Sequence, residues 1–205
     1  KALRDSDPLV RRTAITALQN LPAAQRLTQL APLLNDPIRT VRMEAANALV
    51  DAMLGATPAQ LQAFNKAAAE YVAAQKFIAD TSEGQSALGS FYARQGKYAE
   101  AEKQMQMALK LDPNFIPVYV NLADVYRMQG REAESDLTLR QGIKKAPQNA
   151  AVHHSLGLSL IRQKKMPEAI IELRKSAQLA PQNTRYAYVL AVAYNSAGQN
   201  PAAFS

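Results

Sequence analysis

The stretch SALGSFYARQG, residues 86–96, sets a leucine, a mid-segment glycine, a tyrosine and a closing glycine at offsets that return along the chain. Leu88, Leu122, Leu156 and Leu190 are spaced by 34 residues, and Tyr92, Tyr126, Leu160 and Tyr194 follow each of them by four. Gly96, Gly130 and Gly198 keep the same register, with Lys164 in the intervening slot. Pro113, Pro147 and Pro181 punctuate the chain at the same 34-residue interval. A fixed period of this size is the mark of a repeat architecture.

Within one period the apolar residues fall three and four apart, as in Leu122, Val125 and Tyr126, which puts them on one helical face. Gly96 and Gly130 are placed to close that first helix in the left-handed conformation. A second helix then carries Ala101, Met105 and Ala108, or Ala169, Leu173 and Ala177, until a proline stops it. Each period is therefore predicted to be a helical hairpin. Gly89 and Gly157 sit mid-helix, where glycine costs about 1 kcal/mol relative to alanine. The expected compensation is close approach of a neighbouring helix, with Ala101 and Ala169 as the small surfaces opposite.

Composition agrees with an all-α chain. Of 205 residues, 48% are hydrophobic and 20% charged, which argues for a folded protein over a disordered one. Alanine and leucine are abundant and aromatics make up only 6%, a balance suited to helices joined by short turns. With no cysteine, these residues hold no disulfide, thiolate zinc site, cysteine nucleophile or c-type haem attachment. No apolar run approaches the roughly 20 residues that span a bilayer. The net charge of +7 is spread along the chain and reads as a solvated basic surface. Because the chain begins at Lys1 and ends inside a recurring unit, it reads as a piece of something larger.

The set Leu88, Gly89, Tyr92, Ala101, Ala108 and Pro113, with its returns, resembles the tetratricopeptide repeat. Three full units, 82–115, 116–149 and 150–183, precede a partial one, 184–205. Some positions depart from the pattern. The bulky aromatic expected three residues before the leucine is Gln85, Tyr119, His153 and Ala187, and Ser135 and Gly142 replace two usual alanines. The resemblance also implies where a peptide's terminal carboxylate is clamped in some members of that family. Of the matching positions here, Ser86, Ser90, Asn121, Ala151 and Ser155, only Asn121 carries the expected residue type. A clamp of that kind is not expected.

Residues 1–55 follow another rhythm. Asp7-Pro8, then Val10-Arg11 with Ala14, Ala17 and Leu18, returns as Asp36-Pro37, then Val41-Arg42 with Ala45, Ala48 and Leu49. Asp followed by Pro starts a helix well, since the carboxylate accepts an amide at the cap and proline is tolerated in the first turn. These segments resemble short HEAT repeats, with helices expected over about 8–20, 23–34 and 37–53. Arg11 and Arg42 are expected to pair with aspartates near the helix starts. Residues 56–81 hold a connecting helix that opens at Thr57-Pro58, with Gln60 completing a capping box. Its expected buried stripe is Leu61, Phe64, Ala68, Tyr71, Val72 and Phe77. The fold class is thus an α-solenoid of helical hairpins, HEAT-like repeats followed by tetratricopeptide repeats.

No catalytic constellation stands out, and no enzyme is expected. The two histidines, His153 and His154, are neighbours pointing about 100° apart on a helix, so they cannot share a metal. No metal or cofactor is expected in these residues. In a stacked array the first helix of each hairpin lines the inner face, so residues beside the Leu/Tyr stripe point into a groove. The groove-binding candidates are Ser90, Arg94, Asp124, Arg127, His154, Leu158, Arg162, Tyr188 and Asn195, with Ser86 and Val120 beside them. Arg94, Arg127 and Arg162 also sit near helix C-termini, where a cation is favoured by the helix dipole without any ligand.

The order of parts carries a wider resemblance. HEAT-like repeats, the helix containing Glu70-Tyr71-Val72-Ala73-Ala74-Gln75-Lys76-Phe77, and tetratricopeptide units ending in Arg185-Tyr186-Ala187-Tyr188 are similar to the C-terminal repeat region of bacterial multihaem c-type cytochromes. That likeness implies an exported, periplasmic parent with its haem motifs upstream of these residues; without it the compartment is open, cytoplasm included. The leading expectation is a non-enzymatic scaffold that binds a protein or peptide. The alternatives are nucleic-acid binding through Arg4, Arg11, Arg12, Arg39 and Arg42, and self-association through an open last unit at Leu190 and Tyr194.

Overall fold

The computed structural model describes residues 1–198, so the last seven residues of the expected partial unit lie outside the described residues. Eleven α-helices and two short 3₁₀ turns account for the regular structure there, with no strand among the described residues. The helices group into two compact units, residues 1–100 and the part beginning at Ala101.

In the first unit, helix α1 (Pro8–Ala17) starts as its sequence dictates. Asp7 accepts the Leu9 amide at 2.8 Å and Pro8 occupies the first turn. Helix α2 (Ala23–Leu30) stops before Pro32 and passes into a 3₁₀ turn, Ala31–Asn35. The single helix expected over 23–34 is thus split, because proline has no amide to continue the ladder. Helix α3 (Arg39–Leu49) buries Val41, Ala45, Ala46, Ala48 and Leu49 against α1, α2 and the 3₁₀ turn. Helix α4 (Pro58–Phe77) opens with the expected box, Gln60 amide to Thr57 hydroxyl and Thr57 amide to Gln60 side chain. It packs on α3 and on α5 (Ser82–Arg94).

The stripe on α4 is shorter than expected. Phe64, Ala67 and Ala68 are buried and Tyr71 and Val72 pack partly against the same core, but Leu61 is exposed and Phe77 is 88% exposed. Tyr71 stacks on Phe91 of α5 at 4.7 Å between centroids, which marks where that core ends. Two guanidiniums tie the unit together. Arg11 makes a two-point bond to Asp36, at 2.8 and 2.9 Å, as expected. Arg42 instead takes Glu70 of α4, both bonds at 2.9 Å. Its Nη1 reaches the carbonyls of Asp36 and Pro37, so the aspartate at its own helix start is met through the backbone, its carboxylate already engaged by Arg11.

Helix α6 (Tyr98–Leu111) begins at the boundary and is followed by α7 (Pro117–Met128), α8 (Glu132–Lys145), α9 (Ala150–Arg162), α10 (Met166–Leu179) and α11 (Thr184–Ser196). In the second unit each helix packs on the next, α7 on α8, α8 on α9, α9 on α10 and α10 on α11, a solenoid of hairpins. Helices α6, α8 and α10 each end two residues before Pro113, Pro147 and Pro181. The mid-helix glycine is explained at Gly157: a Cβ there would fall 2.6 Å from Leu173 Cγ, with the Ala169 carbonyl 3.3 Å away. Gly142, in a slot where alanine is usual, gives way to Tyr119 and Val152, which a Cβ would meet at 3.0 and 3.1 Å.

The first helices α5, α7 and α9 close in one way. The Lys97, Arg131 and Lys165 amides reach back to the Tyr92, Tyr126 and Leu160 carbonyls, each at 2.9 Å. The residue before them is left-handed, φ 76° at Gly96, 74° at Gly130 and 60° at Lys164.

Candidate functional site

Helices α7, α8, α9 and α11 line a partly open, partly polar cavity of about 400 Å³, within the range of small-ligand pockets. Five expected groove residues meet on its wall: Asp124 and Arg127 from α7, and His154, Leu158 and Arg162 from α9. Tyr188 lies elsewhere, in an apolar cavity of about 290 Å³ between α9 and α11 that also contains Leu158. Asn195 is exposed and lines neither. Ser90 and Arg94 belong to the first unit, where the Arg94 guanidinium donates to the Asn47 side chain.

Most of the cations here already have partners. Arg127 Nε donates to Asp124 at 3.2 Å, one turn back on its own helix. Arg162 lies 3.5 Å from Glu132. Arg185, in the first turn of α11 and on the cavity wall, makes no ion pair among the described residues. It was not among the expected groove residues. The available signal was register, since Arg185 falls 34 residues after Ala151, another residue on this wall.

The two histidines have opposite surroundings. His153 is buried with both ring nitrogens engaged, Nδ1 against Glu172 at 2.6 Å and Nε2 against the Pro147 carbonyl at 3.0 Å. It is a packing residue between helices, as its register suggests. His154 is equally buried, yet neither ring nitrogen has a hydrogen-bond partner among the described residues. Its ring stacks on Tyr186 with centroids 4.5 Å apart. Burial pushes its pKa down from 6.5, and the Arg185 charge adds to that, so the imidazole is neutral at pH 7. A neutral imidazole keeps one N–H to donate and one lone pair to accept.

Among the described residues no group of three or more His, Asp or Glu side chains is arranged to hold a metal ion. Among the described residues no helix is long and apolar enough to cross a membrane. The cavity presents hydrogen-bond donors, the unpaired Arg185 charge and the Tyr186 ring.

The profile of HEAT repeats matches residues 1–75, and tetratricopeptide repeat profiles match residues 60–116 and 92–157. The matches to the two repeat types follow one another along the chain, each over less than half of it. Helix α4 overlaps a match to each. No curated protein matches the chain at a significant level.

Solved structures resemble its fold. The crystal structure of MamA superposes with a TM-score of 0.58 at 18% identity, covering 72% of this chain and 89% of that one. MamA residues 41 to the end from Desulfovibrio magneticus RS-1 gives 0.54 at 18% identity, with 79% and 89% covered. The first tetratricopeptide domain of Spaghetti (RPAP3), bound to the HSP90 peptide SRMEEVD, gives 0.53 at 19% identity, with 57% and 93% covered. At these identities the likeness is one of fold.

Proposed function

We propose that this chain is a non-enzymatic repeat scaffold that holds a protein or peptide segment against the first helices of its second unit. The observation that carries the reading is the cavity on α7, α9 and α11, whose wall presents the unpaired Arg185 and the unpartnered His154. A repeat array is suited to such a role because its stacking leaves one long lined face. The first tetratricopeptide domain of RPAP3, solved with an HSP90 peptide bound, is a precedent for peptide binding on this kind of fold. Isotope-labelled chain titrated with peptides selected from a random library tests it. Chemical-shift changes are expected on α7, α9 and α11; changes confined to other elements overturn the reading.

The larger setting we propose is a docking module of a multihaem cytochrome, itself free of haem, on the strength of the order of repeats noted above. The nucleic-acid alternative ranks lower on physical grounds. Arg11 and Arg42 are held by Asp36 and Glu70, and Arg12 lies 4.0 Å from Glu44, so three of the five arginines it needs already face carboxylates. Nucleic-acid affinity falling steeply with salt would restore it.

A further inference from the structure

Leu158 belongs to the walls of both cavities in the second unit, the polar one holding His154 and the apolar one holding Tyr188. The two spaces therefore adjoin on α9 and α11. Their chemistry differs. In the polar one, Arg127 and Arg162 have carboxylate partners while Arg185 has none, which leaves the wall with an uncompensated positive charge. Beside it lies the His154 ring, neutral, buried and with both nitrogens unpartnered. A buried donor without an acceptor is costly, so a group able to accept from it gains more there than on open surface. The apolar space is walled by Leu158, Ile161, Met166, Tyr188, Val189 and Val192. Tyr188 is 69% exposed and Val192 46%, so part of this wall still faces solvent.

We infer that the two cavities form one bipartite site for an extended peptide segment carrying an aspartate or glutamate beside a large apolar side chain. The carboxylate takes the hydrogen bonds and charge of Arg185 and the N–H of His154. The apolar side chain covers Tyr188 and Val192 on the far side of Leu158. A charged donor paired with a carboxylate makes one of the stronger hydrogen bonds available to a surface site. Tyr186 stacks on the face of the His154 ring and leaves its nitrogens, which lie in the ring plane, to be reached from the edge once the side chains covering them shift. This inference rests on the peptide-groove reading above and adds the residue types that the segment must carry.

The test is selection of a random dodecapeptide display library on the whole chain, followed by fluorescence anisotropy on the enriched peptides. The expected consensus is an acidic residue one or two positions from a large apolar one. Replacing the acid by its amide, or Arg185 by glutamine, is expected to weaken binding about tenfold or more. Arg185 is exposed and makes no ion pair, so Arg185→Gln should leave the melting temperature unchanged. His154→Phe, which keeps the ring stacking on Tyr186, should weaken the acidic peptide more than its amide counterpart, whose carbonyl is the weaker acceptor. Peptides that lack acidic residues, or bind equally to Arg185→Gln, overturn the bipartite site but leave the groove reading standing if Leu158→Asp abolishes their binding. Peptides indifferent to Leu158→Asp as well, or no enrichment at all, overturn both. Release of the bound peptide by 1 mM inorganic phosphate would assign the pocket to a free anion and overturn the inference.

Discussion

The Tyr119 hydroxyl donates a hydrogen bond to the Pro113 carbonyl, six residues back, at 2.7 Å. The same link is made one period earlier, where the Gln85 amide donates to the Ala79 carbonyl at 2.7 Å. One period later, the His153 ring nitrogen Nε2 meets the Pro147 carbonyl at 3.0 Å. These are three of the four positions where a bulky aromatic is expected and mostly missing. Three chemically unlike side chains share reach and a hydrogen-bonding tip, so the turn before each first helix is fastened whichever of them is present. The fourth, Ala187, has no such tip.

Removing only the tip tests this. Tyr119→Phe keeps the buried ring and leaves a carbonyl without its donor, and a loss of about 1 kcal/mol is expected. Urea unfolding measures it; an unchanged midpoint would show that the bond contributes nothing.

Lys164 stands in a slot that glycine fills at Gly96, Gly130 and Gly198, and it adopts φ 60° there. A left-handed residue with a Cβ costs roughly 1–2 kcal/mol. Lys164→Gly is therefore expected to raise stability by about 1 kcal/mol despite the added freedom of the unfolded chain. A lower melting temperature in this variant would refute the account of the turn.

Gly157→Ala should destabilise by about 1–3 kcal/mol, although alanine is the better helix former. The added methyl would land 2.6 Å from Leu173 Cγ, and Leu173 is fully buried with no room to retreat. Truncating the obstacle should show coupling: the double variant Gly157→Ala, Leu173→Ala is expected to cost less than the sum of the two single changes. Strict additivity would mean that the two residues do not compete for space.

Acid should loosen the first unit through Asp36. Burial pushes its carboxyl pKa up, but the Arg11 hydrogen bonds, the Ile38 amide at 2.9 Å and the charges of Arg11 and Arg42 outweigh it and leave it below the ordinary value. A carboxylate with a depressed folded pKa contributes stability that is complete above the unfolded value of about 3.9 and is lost as pH falls through the folded one. The urea midpoint should therefore decline below roughly pH 4. Asp36→Asn should lower the midpoint at pH 7 and flatten that decline, because it leaves Arg11 unpaired at all pH values. Glu44→Gln, at a loose 4.0 Å pair, should change stability by under about 0.5 kcal/mol. Equal acid sensitivity in Asp36→Asn and the parent would exclude Asp36 as the source.

The helices and their ends were legible in the residues because they are local events. Asp7-Pro8 and Thr57-Pro58 announce their caps within three or four positions, and Gly96 and Gly130 mark a turn that their own φ angles make. The groove was legible in part. Asp124, Arg127, His154, Leu158 and Arg162 share a wall because a 34-residue period puts equivalent helix faces side by side. Arg185 and Tyr186 are not marked by the period, because they lie in the first turn of the last helix, away from the Leu/Tyr stripe that carries it.

The linear order of residues was enough to establish an all-α repeat protein and where its hairpins turn, since caps, glycine closures and helical faces depend on side chains a few positions apart. Folding in three dimensions assigned the partners. Arg42 met Glu70 instead of an aspartate, Phe77 was left in solvent, and of two adjacent histidines one gained a carboxylate and a carbonyl while the other gained only Tyr186. Those outcomes depend on which helix packs against which and how far its side chains reach, and interactions between residues tens of positions apart leave no local pattern to read.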